Sequence, residues 1–289
     1  MKDSLYHIIA ILIVGVWGLT FISTKMLIGC GFSPQEIFVL RFLIAYVVIW
    51  FISPRRLFAD NWRDEGWMLL LGVTGGSFYF LTENTALEIT LATNVSFIVC
   101  TTPLLTAILS LLIYKKEKAT RALMGGSLLA LLGVALVVYN GSFVLKISPV
   151  GDFLSLLASL SWAFYSLIMK KMAGRYGTVF ITRKVFFYGV LTILPVFLFR
   201  PWRFDMAGLL QPAVYLNLLF LGVLASFVCF AVWNVVLKRL GTVQASNYIY
   251  LNPLFTMIGS AFLLGERLTA VAFVGTLCIL GGVYWAGRK

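Results

Sequence analysis

"YIYLNPLFTMIGSAFLLGE", residues Tyr248–Glu266, is apolar at nearly every position, yet Pro253 stands near its middle. A proline inside a helix removes one backbone hydrogen bond and crowds the carbonyl four residues back. A similar stretch, "VCTTPLLTAILSLLIYKKE" (Val99–Glu117), occurs earlier in the chain, and an offset of 150 lays Pro103 on Pro253. The match continues outward. Between Leu71–Ser110 and Leu221–Ser260 it runs without a gap, and twelve of forty positions are identical, among them Gly72/Gly222, Phe80/Phe230, Asn84/Asn234 and Ser96/Ser246. An offset of 149 then pairs Glu117 with Glu266, Gly126 with Gly275 and Gly133 with Gly282; an offset of 145 pairs Trp17 with Trp162 and Lys25 with Lys170. Proline, asparagine and tryptophan pairs kept in order mark two copies of one unit, residues 1–145 and 146–289.

Composition fixes the solvent. The 289 residues are 61% hydrophobic and 12% charged, with a mean hydropathy of +0.96. A soluble domain carries roughly 25% charged residues. This is the composition of a membrane protein. The net charge of +12 does not indicate nucleic acid, because no basic stripe with interleaved aromatics is present. Cys30, Cys100, Cys229 and Cys278 are widely spaced, so neither a disulfide framework nor a metal site is expected, and no cofactor is implied. The first apolar run lacks a small-residue cleavage pattern and reads as a retained span.

A spanning helix needs about 20 mostly apolar residues. Ten segments qualify: 5–28, 34–52, 67–87, 92–114, 121–140, 150–172, 178–199, 213–237, 243–264 and 270–287. The connections are short. With both termini in the cytoplasm, fifteen lysines and arginines lie inside and five outside, the bias that sets topology. The expected location is the cytoplasmic (inner) membrane. Trp62, Trp67, Trp202 and Trp285 fall near span ends, where interfacial aromatics belong.

Five spans per copy is an odd number, so the second copy enters the membrane from the opposite side. The expected fold is an all-α integral membrane protein of ten transmembrane helices, arranged as two inverted five-helix repeats. Inverted repeats related by an axis in the membrane plane are an architecture of secondary transporters. The chain resembles the drug/metabolite transporter superfamily, in its ten-helix EamA-like branch. The resemblance rests on "WGLTFISTK" (Trp17–Lys25), "RFLIA" (Arg41–Ala45), "GDFLSLLASLSWAFYSLIMKK" (Gly151–Lys171) and "LNPLFTMIGSAFLLGERLT" (Leu251–Thr269). It implies a carrier of amino acids or similar metabolites, often outward. The first half departs from the pattern, with "YKKE" in place of a short Gly-Glu ending.

Pro103 and Pro253 fall near the midplane of spans 4 and 9, and each frees a carbonyl, of Val99 and Ile249. Unpaired backbone at membrane depth is tolerated where it is buried in protein or lines a cavity. Paired breaks therefore point to a central substrate site; a packing kink relieved by neighbouring threonines is the alternative. Trp17 and Trp162 also lie at midplane, far from the interfacial belt, and offer faces for a planar or cationic group. Tyr79, Tyr165 and Tyr248 add hydroxyl-bearing rings. Asn84, Thr101, Asn247 and Asn252 are polar candidates for the same site, and Asn94 and Gln244, which are repeat partners, are candidate gates. Interhelical hydrogen bonding, worth about 1 kcal/mol each, is the structural alternative for any of them.

Charges inside spans are functional candidates by default. Glu83 lies about 9 Å from the centre of span 3 and is placed to take a coupling proton or hold an amine. Arg41 lies about 10 Å into span 2, with Arg183 comparably placed in span 7; either could hold a carboxylate or snorkel to the interface. Lys25 and Lys170 read as snorkelling anchors, and Glu88 as a solvated boundary residue. Glu117 and Glu266 each precede a threonine (Thr120, Thr269) suited to cap the next helix, and read as structural.

The expected function is a secondary transporter moving a small organic metabolite by alternating access, in contact with membrane lipids, as a monomer or weak dimer. Facilitated exchange and coupling to a proton both stay open. A membrane pore or accessory subunit is the first alternative. A lipid-modifying transferase is the second: Asp60, Asp64 and Glu65 share one loop, but no facing acidic cluster exists. No Walker motif is present, so ATP is not the energy source.

Overall fold

The computed structural model describes residues 2–52, 56–90, 92–114, 120–139, 148–203, 206–264 and 270–287. Among the described residues the chain forms ten helical spans. Span 1 is Lys2–Gly29 and span 2 Pro34–Ile52. Span 3 joins Trp62–Gly72, Val73–Ser77 and Phe78–Ile89. Span 4 joins Ala92–Val99 and Thr102–Ile113, and span 5 is Arg121–Tyr139. Span 6 is Pro149–Met172, and span 7 runs through Thr178–Ile193 and Leu194–Leu198. Span 8 joins Pro212–Leu219, Phe220–Val228 and Cys229–Leu240. Span 9 joins Thr242–Ser246, Asn247–Leu251 and Asn252–Leu264, and span 10 is Ala270–Ala286. Among the described residues, six helices are long and apolar enough by length and composition to cross a membrane.

Local chemistry sets the ends. Asn61 accepts from the Asp64 amide at 2.8 Å and caps span 3, and Thr120 accepts from the Leu123 amide at 3.1 Å and caps span 5. Glu117, Glu266 and Thr269 lie outside the described residues. Span 8 turns into span 9 at Gly241, whose φ of 85° is a conformation that a side chain disfavours.

Both proline-bearing spans break as the sequence predicts. The first part of span 4 stops at Val99, and a new helix starts at Thr102 with Pro103 in its first turn, where the missing N–H costs nothing. Span 9 tightens to a 3₁₀ turn over Asn247–Leu251 before restarting at Asn252. The two breaks touch: the Cys100 thiol donates to the freed carbonyl of Ile249 at 3.5 Å. One residue before Val99, the Ile98 carbonyl accepts from Thr101 at 2.7 Å and Ser159 at 3.1 Å.

A second pair of interruptions is not anticipated by the sequence reading. Spans 3 and 8 each contain a π-helical stretch, Val73–Ser77 and Phe220–Val228, at matching places in the two copies. A π turn shifts hydrogen bonding by one residue and leaves carbonyls for neighbours. Trp17 Nε1 donates to Ala225 O at 3.0 Å, and Ser161 Oγ donates to Thr74 O at 2.8 Å. Each copy's first helix thus docks on the π segment of the other copy.

The packing between copies follows the same symmetry. Span 1 packs on span 9 as span 6 packs on span 4, and span 2 on span 8 as span 7 on span 3. Spans 5 and 10 pack on each other. Their backbones approach closely: a Cβ on Gly126 would stand 2.3 Å from Ala286 N, and one on Gly133 2.6 Å from Gly275 O. Small residues at such a crossing gain dispersion that larger ones would block. Both chain ends lie on one face, where His7 meets Tyr248 and Gly287 lies near Gln244. It is called here the termini face, and the opposite one the far face.

Candidate functional site

The four elements interrupted at mid-depth, with spans 1, 2 and 6, line a narrow central cavity, about 450 Å³ including its opening. Trp17 and Trp162, repeat partners, meet here edge to face with ring centres 5.3 Å apart. Phe230 closes on both, at 6.0 and 5.3 Å, and Tyr79 lies 5.0 Å from Trp162. Edge-to-face contacts are a preferred geometry for aromatic rings and fix their orientation.

The charged groups sit on one wall. Arg41 is 2% exposed, its guanidinium 4.4 Å from the Phe80 ring centre and its Nε donating to Ser226 Oγ at 2.8 Å. It points into the bundle rather than to the interface. Glu83 is 6% exposed and accepts from the Tyr79 hydroxyl at 2.7 Å. Arg41 and Glu83 act on each other electrostatically. Their repeat equivalents are not a second charged pair: Trp233 stands at the place of Glu83, and Arg183 lies against Trp50 and Phe180 at 5.2 and 5.5 Å. The cavity is therefore charged on the side of spans 2 and 3, and aromatic on the side of spans 1, 6 and 8.

Three buried polar atoms of its lining residues, Trp162 Nε1, Thr102 Oγ1 and Asn252 Oδ1, have no hydrogen-bond partner among the described residues. A buried polar atom left unmatched costs about 1–3 kcal/mol. Together they present two kinds of donor and one acceptor beside a cation and an anion.

Of the residues singled out in the sequence, Trp17, Arg41, Tyr79, Glu83, Trp162 and Asn252 line this cavity. Others stand elsewhere. Asn84 donates to Pro34 O at 3.1 Å and ties span 3 to the start of span 2. Tyr165 lies behind Trp162, donating to Asn234 Oδ1 at 2.7 Å. Thr101 and Pro103 form the break of span 4, and Pro253 follows Asn252 in the first turn of the restarted span 9. Tyr248 shares a 2.5 Å hydrogen bond with His7. Asn94 reaches Thr90 Oγ1 at 3.5 Å near the far face. Gln244 and Asn247 line a wider depression at the termini face, about 880 Å³ including its mouth, together with Lys170, Leu240 and Gly241. Phe80, Phe230, Thr20 and Thr102 belong to the central cavity and were not singled out. The identical Phe80/Phe230 pair in the repeat was a signal that could have found two of them.

The acidic loop Asp60–Glu65 does not face the cavity. Asp60 pairs with Arg56, Asp64 with Arg175 at 2.9 Å, and Glu65 with Lys184. The Tyr176 hydroxyl, with Asn61 and Arg175, holds the Asp64 carboxyl below its ordinary range. For Glu65, burial pushes the carboxyl up, but Lys184, Tyr188 and the Ala59 amide outweigh it and leave it lowered. Asp64 and Glu65 tie the start of span 3 to the turn between spans 6 and 7 and to span 7 itself.

Known proteins share the sequence pattern and the fold of this chain. The pattern of the EamA-like transporter family matches residues 4–139 and again 149–288. An uncharacterized transporter of Archaeoglobus fulgidus is 27% identical over 297 residues, 99% of each chain. A probable amino-acid metabolite efflux pump of Escherichia coli is 25% identical, over 96% of this chain and 93% of its own. A solved crystal structure superposes with a TM-score of 0.74 at 19% identity, covering 99% of this chain and 96% of its own, which shows the shared fold.

Proposed function

Because the chain belongs to the EamA-like transporter family, a family of multi-pass membrane transporters and not of enzymes, we propose that it carries a small zwitterionic metabolite, an amino acid with an apolar or aromatic side chain, outward across the cytoplasmic membrane by alternating access. The observation that carries this reading is the two-sided cavity. Arg41 and Glu83 give a carboxylate and an ammonium opposite charges to meet on one wall, while Trp17, Trp162 and Phe230 face an apolar side chain on the other. Charge-assisted hydrogen bonds in a water-poor cavity are strong and orient the ligand. The efflux pump of Escherichia coli supports the substrate class and direction by similarity.

The termini face is assigned to the cytoplasm, because fifteen of the lysines and arginines outside the span interiors fall on that side and five on the other. The two copies, residues 1–145 and 146–289, act as the two halves whose exchange of shape reverses access. Glu83 is the group placed to bind either the substrate ammonium or a coupling proton.

Counterflow of labelled L-phenylalanine in liposomes tests the reading. Unlabelled L-phenylalanine competes, whereas its N-acetyl and carboxamide forms, each lacking one charge, compete at least tenfold more weakly. Equal competition by all three would contradict recognition of a zwitterion, and no counterflow of any amino acid would contradict the substrate class.

A further inference from the structure

The wider depression at the termini face carries its own unmatched polar group. Span 9 enters at Thr242 and runs inward, so Asn247 is the deepest of the span 9 residues that line the depression. Asn247 is 2% exposed, and both atoms of its carboxamide, Nδ2 and Oδ1, have no hydrogen-bond partner among the described residues. A buried carboxamide that pairs with nothing is costly, and a bound ligand removes that cost. Gln244, three residues earlier on the same face of the span, brings a second carboxamide to the lining. Ala107 and Leu111 of span 4 give the depression an apolar wall.

The depression and the central cavity share two elements. Span 4 lines the cavity with Thr102 and the depression with Ala107, and span 9 lines them with Asn252 and Asn247. Five residues of 3₁₀ geometry separate Asn247 from Asn252 by about 10 Å along the span. On span 4, Thr106 is wholly buried, and its Oγ1 also has no partner among the described residues. Polar atoms that no helix uses thus continue from one recess toward the other. The repeat has Phe97 at the place of Asn247 and packs it against the apolar core, so the carboxamide belongs to the termini side alone.

We propose that the depression is an entry subsite for the zwitterionic head of an amino acid, with Asn247 as its recognition residue. Nδ2 donates to the carboxylate and Oδ1 accepts from the ammonium, so one side chain meets both poles of the head group. The apolar side chain of the ligand lies against Ala107 and Leu111. From there the substrate passes Thr106 to the central cavity. A carboxamide at the termini side and a phenylalanine at its equivalent favour loading from the termini face, the direction an exporter needs. The inference rests on the amino-acid reading of the central cavity and adds a second site in front of it.

Cysteine accessibility reads the two sites separately. Val243, which lines the depression one turn before Asn247, and Thr102, which lines the central cavity, are each replaced by cysteine in an otherwise cysteine-free protein in lipid nanodiscs. A small water-soluble thiol reagent modifies each, and L-phenylalanine slows both reactions. With Asn247→Leu, similar in size and without polar atoms, the L-phenylalanine concentration that half-protects Val243→Cys rises at least about tenfold, and that for Thr102→Cys changes little. Glu83→Gln does the reverse. Asn247→Asp, which keeps the shape and loses the donor, acts as Asn247→Leu does. Without ligand, Asn247→Leu melts at or above the wild-type temperature, because it removes an unmatched buried group. A lowered melting temperature with protection of Val243→Cys retained would overturn the inference and make Asn247 a structural residue. So would protection of Val243→Cys that is lost with Glu83→Gln and not with Asn247→Leu, since it would report closure around the central site. Protection of Thr102→Cys alone rejects the subsite and keeps the central cavity; protection of Val243→Cys alone keeps the subsite and rejects the central reading; protection of neither rejects both.

Discussion

In the proposed function, substrate recognition turns on Arg41 and Glu83, which line the central cavity. Glu83→Gln keeps the shape of the side chain and removes its charge, so counterflow of L-phenylalanine falls at least tenfold and any dependence on a pH gradient disappears. Unchanged flux and unchanged pH dependence would remove Glu83 from both the ammonium site and the proton path. A buried charge that loses its partner is costly, by roughly 3–5 kcal/mol. Lys184→Met leaves Glu65 in that position, with 9% of its side chain exposed, and is expected to lower the melting temperature in detergent far more than Lys171→Met, which removes only a charge 3.7 Å from the centre of the Trp67 ring. Asp64 sets an acid limit. Its carboxyl is depressed in the folded protein, chiefly by Tyr176, so its contribution is complete above the ordinary carboxylate range and is lost as the pH falls through the depressed value. Tyr176→Phe weakens the depression, and melting curves taken across acid pH should show the loss beginning at a higher pH than in the wild type.

Four of the spans that meet at the central cavity are not continuous helices. Prolines announced two of them: Pro103 and Pro253 told where the backbone would part, because a missing N–H and a ring clash act locally. The π stretch of span 8 was not legible, since "VLASF" contains no breaker; that of span 3 carried a local signal, the poor helix formers Gly75 and Gly76, of which Gly76 leaves helical φ/ψ. Trp17 and Ser161 dock on the carbonyls of Ala225 and Thr74 in the two stretches. The same limit explains the candidate site. Trp17 and Trp162 stood out as tryptophans away from the interface, and the structure brings them together, whereas Asn84 and Tyr248 looked equally polar and face other helices. Periodicity gives depth along a span but does not give its rotation when nearly every residue is apolar. At the crossing of spans 5 and 10 the constraint is steric. Gly133→Leu places its side chain against the Gly275 carbonyl and should destabilise the protein by roughly 1–3 kcal/mol or more, read as lower thermal stability. Substitution at Gly29, beside which a Cβ meets nothing within 4 Å, is the matched control.

At the scale of the whole molecule, the odd number of spans per copy does most of the work. It inverts the second copy, and inversion gives each contact between the halves a counterpart at the other face. Ten spans, short loops and the repeat were legible from hydropathy and from the 150-residue offset. The difference between the two faces was not, since the repeat aligns their residues and only coordinates show how each face is packed. The symmetry is also imperfect at the cavity: Glu83 lines it from one copy, and its equivalent is Trp233. In the proposed function, the inverted frame supplies two states of similar energy, and the asymmetric cavity within it supplies selectivity.

Access to that cavity from both sides is the most direct test. Thr102, which lines it, is replaced by cysteine in an otherwise cysteine-free protein, and a membrane-impermeant thiol reagent is applied to one side of sealed vesicles at a time. Modification from either side, slowed from both by L-phenylalanine, is the predicted result. Modification from one side only, or from both without protection by any amino acid, would contradict a single substrate chamber opened alternately to the two faces.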